Sequence, residues 1–244
     1  MTDKRRIIIG VFTAILVVAL LLVGAWFFTR PTYVFSVNGV KVEQEELLYM
    51  MGECRLSVAY ELEERYGVDS GDADFWEREF GGETPNEVLR RAAAEAIIAD
   101  KVQLLEAKKY DIKVDLTYSA VESARQAENR KRAQGGEEIV YGPDELTYHV
   151  FYVGYLSGIQ DELKDKLQDT VLAVSDQDIT AYYEQNREAF AADDGAIPAL
   201  EAVREQIQIV LENQRYDAYV QQLTDTAQIE FFSVYDAVSV EHLS

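Results

Sequence analysis

Few side chains in this chain have the types and spacing that could do chemistry. Cys54 is the single thiol, and His149 and His242 are the two imidazoles, ninety-three positions apart. One cysteine cannot close an internal disulfide, and Cys54 falls on the apolar stripe of a predicted helix, where a free thiol packs as a small hydrophobe. Glu61, Glu63 and Glu64 offer neighbouring carboxylates, and 61 and 64 share a helix face, as a general acid–base pair would require. Nothing apolar in the pattern encloses them, so they read as a solvated face. Asp69, Asp72 and Asp74 precede Phe75 and Trp76, but the acids lack the alternation and distal glutamate of a calcium loop. No catalytic residue, metal site or cofactor is therefore assigned. The remaining candidates are for binding: Tyr148, Tyr152, Tyr155 and Ile159, spaced four, three and four, with Phe151 beside them. Such a stripe either packs on a neighbouring helix or faces a groove for apolar segments of other proteins, because tyrosine tolerates both burial and wetting.

The elements that must position this stripe are mostly helices. Tyr33 to Val42 alternates around Asn38-Gly39, the strongest short-range hairpin signal. A helix follows from about Val42 to Tyr66, with Leu47, Met51, Cys54, Val58 and Leu62 on one face. After a polar loop ending in Gly81-Gly82, Thr84-Pro85-Asn86-Glu87 supplies an N-cap, a first-turn proline and a capping-box acid. The helix it opens, to about Lys109, is apolar on more than one face and so central. A polar helix over Thr117 to Gln134 ends in Arg125, Arg130, Lys131 and Arg132, which suit a helix C-terminus. The tyrosine stripe lies on a helix between Pro143 and Asp169, opposite a second line of Leu146, Val150 and Val153. Ser175 to Asp178 forms another capping box, Pro198 restarts a helix running toward Leu223, and Ile229 to Tyr235 alternates as a final strand. An isolated hairpin is marginal in water, so the last strand is expected to join the first hairpin and close the helical body into one unit.

Charge narrows the partners. The chain carries 44 acids against 23 bases, and beyond residue 30 the count is 43 against 19, a net charge of -24. With no basic stripe to release counterions, nucleic acid is excluded as a partner. Ile7 to Phe28 is free of charge for 22 residues, about 33 Å as a helix, after Lys4, Arg5 and Arg6. It reads as a single-pass transmembrane anchor of the cell membrane with its N-terminus inside and residues 31–244 extracytoplasmic. A cleaved signal peptide, ending near Val23-Gly24-Ala25, is the competing reading. The expected fold class is thus mainly α: a transmembrane helix over residues 1–30, then a helical module over 31–244 closed by a small antiparallel sheet that pairs N- and C-terminal strands.

The order of elements resembles the chaperone modules of the SurA and PrsA family of extracytoplasmic foldases. The resemblance rests on VFSVNGVKVEQEELLYM (34–50), EVLRRAAAEAIIADKVQLLEAKKYDIKVD (87–115), VSDQDITAYYEQNREAF (174–190) and ALEAVREQIQIVLENQRYDAYVQQLTDTAQIEF (199–231). In that family a parvulin prolyl isomerase domain enters between the last two stretches, where this chain has only Ala191 to Pro198. A small domain needs on the order of a hundred residues, and the isomerase's paired histidines have no counterpart. The resemblance implies a parvulin-less, SurA N-terminal-like chaperone that binds unfolded or partly folded secreted proteins, with no isomerase chemistry. Tyr148, Phe151, Tyr152, Tyr155 and Ile159 are the client-binding candidates. The alternatives are a prolyl isomerase relative with residual activity and a scaffold that grips one cell-envelope partner.

Overall fold

The computed structural model describes residues 31–134, 142–191 and 196–243. Its elements, in chain order, are β1 (Tyr33–Val37), β2 (Val40–Glu43), α1 (Gln44–Tyr66), α2 (Pro85–Lys109), α3 (Tyr118–Gln134), α4 (Tyr148–Leu167), α5 (Asp176–Gln185), α6 (Leu200–Asp225) and β3 (Ile229–Phe231). Short 3-10 turns follow at Arg187–Phe190, Tyr235–Ala237 and Val240–His242.

The sheet is antiparallel, in the order β2-β1-β3. Asn38 and Gly39 take φ of 49° and 81°, the two left-handed positions that a two-residue hairpin turn requires. The same turn holds the tail: Asn38 N–H donates to the Gln228 carbonyl at 2.8 Å, and Gln228 N–H donates to Asn38 Oδ1 at 2.8 Å. Phe35 then pairs with Phe231, and Val37 with Ile229, which joins the two ends of the described chain. The final strand stops at Phe231 rather than continuing to Tyr235, because the chain turns so that Tyr235 and Val238 pack on the N-terminal half of α2. There Arg90 donates to the Val238 carbonyl at 2.8 Å, and its guanidinium lies over the Tyr235 ring.

Three apolar clusters carry the fold. The first joins the inner face of the sheet to α1 and α2 around Phe35, Leu47, Met51, Leu89 and Ile97, with Phe75 anchoring the aspartate-rich loop. The second gathers Leu104, Ala107 and Ile112 with Ile159, Leu163 and Leu167 of α4 and Tyr216 of α6. The third is an arm, in which Ile179 and Tyr183 of α5 pack on Val203 and Ile207 of α6. Helix α2 contributes to the first two, which is why its apolar residues occupy more than one face. Both predicted capping boxes form, Thr84 with Glu87 and Ser175 with Asp178. Helix α4 starts at Tyr148, later than its apolar pattern, because the Thr147 side chain caps it by accepting from Val150 N–H.

The fold class needs one correction. The transmembrane helix placed at its head is not supported: among the described residues no helix is long and apolar enough to cross a membrane. Helices α2 and α6, at 25 and 26 residues, have the length, but each buries one part of its surface and carries charges on the rest. The segment Ile7 to Phe28 lies outside the described residues. What the described residues form is a mainly helical body with a three-stranded antiparallel sheet.

Candidate functional site

The sequence-predicted aromatic line divides along α4. Tyr152 and Ile159 are buried, whereas Tyr148, Phe151 and Tyr155 are half-buried. Ile159 belongs to the second core cluster. Phe151 stacks on Tyr155 with centroids 6.2 Å apart, and Tyr155 exchanges hydrogen bonds with the Asp115 backbone, accepting from its N–H and donating to its carbonyl. Tyr152 donates to Asp100 Oδ2 at 2.7 Å. Of the five candidates, the structure brings Tyr148 and Tyr152 into one aromatic cluster and distributes the others along α4. The opposite line of the helix, Val150 and Val153, is exposed.

Two tyrosines that the sequence reading did not single out complete that cluster. Tyr49 of α1 meets Tyr148 edge-on at 4.7 Å and Tyr152 at 5.8 Å, and Tyr118, at the start of α3, stacks on Tyr148 at 4.4 Å. Tyr148 sits at the centre because it opens α4 beside Tyr118, the first residue of α3, with Tyr49 of α1 on its other side. Glu43 fixes that meeting: its carboxylate accepts from Ser119 N–H at 3.0 Å and Ser119 Oγ at 2.7 Å, tying the end of β2 to the N-terminus of α3. Glu53 reaches across from α1 to His149 Nδ1 at 2.8 Å.

Behind the ring cluster lies a buried ionic layer. Lys101 Nζ meets Glu46 Oε1 at 2.6 Å and donates to the Leu116 carbonyl at 2.7 Å, and both side chains are almost wholly buried. The other Glu46 oxygen, Oε2, is buried without a hydrogen-bond partner. Burial, only partly offset by Lys101, raises the Glu46 pKa. Asp100, the neighbour of Lys101, is pushed up to about 6, chiefly by burial and against the Tyr152 hydrogen bond. Tyr49, Tyr148 and Tyr152 are all raised by burial first, and then by the surrounding carboxylates. These phenols stay neutral at physiological pH and present uncharged aromatic faces rather than a base. Burial likewise raises the Cys54 thiol, so its nucleophilic thiolate is disfavoured.

In front of the cluster is an open hollow of about 420 Å³ lined by Glu45, Leu48, Tyr49, Gly52 and Glu53 of α1, Tyr118, and His242 and Leu243 of the tail. It continues as a stripe along the outward face of α1, where Leu48, Gly52, Leu56 and Tyr60 recur every four residues. Leu56 is 71% exposed and Tyr60 68% exposed. That recurrence is legible in the sequence, but the buried face of the same helix is the stronger signal and masks it. The tail's part in the hollow has no sequence signature at all.

Glu61, Glu63, Asp72 and Asp74 are each engaged with partners of their own. Glu61 pairs with Arg65 at 2.5 Å, and Glu63 accepts from Ser70 N–H at 2.9 Å; the Ser70 side chain first, and its backbone second, hold Glu63 below the usual carboxylate range. Asp72 and Asp74 both pair with Arg78. Among the described residues no group of three or more His, Cys, Asp or Glu side chains is placed to hold a metal ion. No family model, curated protein or solved structure matches the chain.

Proposed function

We propose that the protein binds unfolded or partly folded secreted polypeptides through apolar surface and limits their aggregation, without chemistry of its own. The observation that carries this reading is the apolar stripe of α1: two large side chains, Leu56 and Tyr60, stand out from the body in line with an aromatic-walled hollow. Apolar burial contributes about 25 cal/mol per Å², so an extended segment covering this stripe gains useful affinity without a deep pocket. The strongly acidic exterior keeps the molecules apart from one another while the apolar surface stays available. The aromatic candidates on α4 act as the wall behind the hollow, Tyr148 through its contacts with Tyr49 and Tyr118. The SurA- and PrsA-like order of elements points the same way, and an extracytoplasmic location belongs to the proposal on the sequence of residues 1–30 alone.

Residues 31–244 are expected to slow the aggregation of a chemically unfolded client, measured by light scattering, at a few-fold molar excess. Leu56→Ser together with Tyr60→Ser should weaken that protection several-fold with helix content unchanged, since both side chains stand in solvent. Unchanged protection by the double variant would remove the stripe from the mechanism, and no protection by the parent protein would end the proposal.

A further inference from the structure

We infer that the hollow between α1, α3 and the tail takes a cationic side chain, a lysine or arginine, borne on the extended polypeptide that lies along α1. This rests on the binding role proposed above and adds what the bound segment must contain. Tyr49 and Tyr118 line the hollow as neutral rings, and a cation over a tyrosine face is attracted by the ring quadrupole. Glu45 and Glu53 stand on the same line of α1, one turn either side of Tyr49, so carboxylates flank the rings at both ends. Glu45 has no ion-pair or hydrogen-bond partner among the described residues, and Glu53 has only the His149 ring. The cations nearest the cluster are committed, Lys101 to Glu46 and Arg125 to Glu122. Behind the rings, Glu46 keeps one buried oxygen unpaired and acts on the Tyr148 phenol. The lining thus offers two carboxylates beside neutral rings, with no lysine or arginine of the chain among its residues.

The apolar part of the lining suits the stem of such a side chain. Lysine and arginine bury their methylenes along apolar surface while the charged head seeks polar partners. Leu48 and Leu243 provide that surface, and Gly52 keeps the floor open, since a Cβ built there meets nothing within 4 Å. A segment running on toward Leu56 and Tyr60 would place an apolar residue beside the cation.

The test compares two fluorescein-labelled twelve-residue peptides, alternating in leucine and serine and identical except for a central lysine or glutamine. Binding to the full chain is measured by anisotropy. The lysine peptide is expected to bind at least fivefold more tightly. Glu45→Gln with Glu53→Gln should erase that preference, whereas the control pair Glu61→Gln with Glu64→Gln should preserve it. Gly52→Phe, which fills the hollow from an open helix face, should abolish the preference with the circular dichroism spectrum intact. Equal binding of the two peptides overturns the inference and leaves the apolar binding role standing, as does a lysine preference that survives Glu45→Gln with Glu53→Gln, which would be attraction to the acidic exterior at large. Failure of both peptides to bind, with no protection of an unfolded client, overturns both readings. A concentration-dependent dimer that Gly52→Phe dissolves would assign the hollow to a second copy of the chain and overturn the inference as well.

Discussion

Asp100 shows how one half-buried acid makes this fold sensitive to pH. Its carboxyl holds its proton up to about 6 in the folded protein, against about 3.9 in an unfolded chain. The stability this group contributes is therefore fully present below pH 4 and is lost as pH rises through 6, by on the order of 2 kcal/mol given its remaining solvent contact. Asp100→Asn keeps an acceptor for the Tyr152 hydroxyl and removes the titration. Urea unfolding between pH 4 and 7 should show the variant without this part of the decline and more stable than the parent at pH 7; parallel profiles would show that another group titrates. The Glu46–Lys101 pair beside it behaves differently. Lys101→Met alone strands a buried carboxylate and should cost about 3 kcal/mol, while Lys101→Met with Glu46→Leu should recover most of that loss. A double-mutant cycle in urea reads both values. Sequence gives no sign of either arrangement, since nothing in their spacing sets Asp100 and Lys101 apart from the exposed Glu87, Arg91, Glu95, Lys108 and Lys109 of the same helix.

At the scale of elements, most boundaries follow from local chemistry. Thr84 and Ser175 cap their helices through the hydrogen bonds their spacing predicts, and Asn38-Gly39 turns the hairpin with both residues at positive φ. Local pattern misplaces α4 and β3, because the Thr147 cap and the packing of Tyr235 on Arg90 decide where those elements begin and end. The helix interiors carry a separable cost. Gly52, Gly154 and Gly158 lie within α1 and α4 at ordinary helical geometry, with open space where a Cβ would stand. Glycine there costs roughly 0.5–1 kcal/mol relative to alanine. Gly154→Ala with Gly158→Ala should therefore raise the unfolding free energy by about 1 to 2 kcal/mol, measured by thermal or denaturant unfolding. A loss of stability would show that the outward face of α4 is covered by something requiring a flat surface.

At the scale of the whole molecule, the tail is the closing element. β3 pairs with β1, Val238 is buried among the first-cluster residues, and Val240 N–H donates to Asn86 Oδ1 at 3.1 Å. Ending the chain after Gln228 removes the third strand, the Arg90 and Asn86 contacts and the Val238 packing together. The expected loss is at least about 3 kcal/mol, counting one buried valine and the hydrogen bonds left open, with lower cooperativity in urea. A shortened chain that unfolds at the parent's midpoint would show that α1 and α2 need no closure. The amino-acid sequence determined the helices, the hairpin, the caps and the excess of negative charge, because each depends on neighbours within a turn or two. It also pointed to a tail that returns to the first strands, since a lone hairpin cannot persist. Only the tertiary structure decided which aromatic rings meet and which face water. Tyr148 and Tyr152 meet Tyr49 and Tyr118 because α4 packs on α2 and α3 beside the start of α1, and Leu56 and Tyr60 remain outside because no described element covers that face of α1. Those outcomes depend on how helices far apart in the chain cross, and side-chain spacing within one helix carries no record of its neighbours.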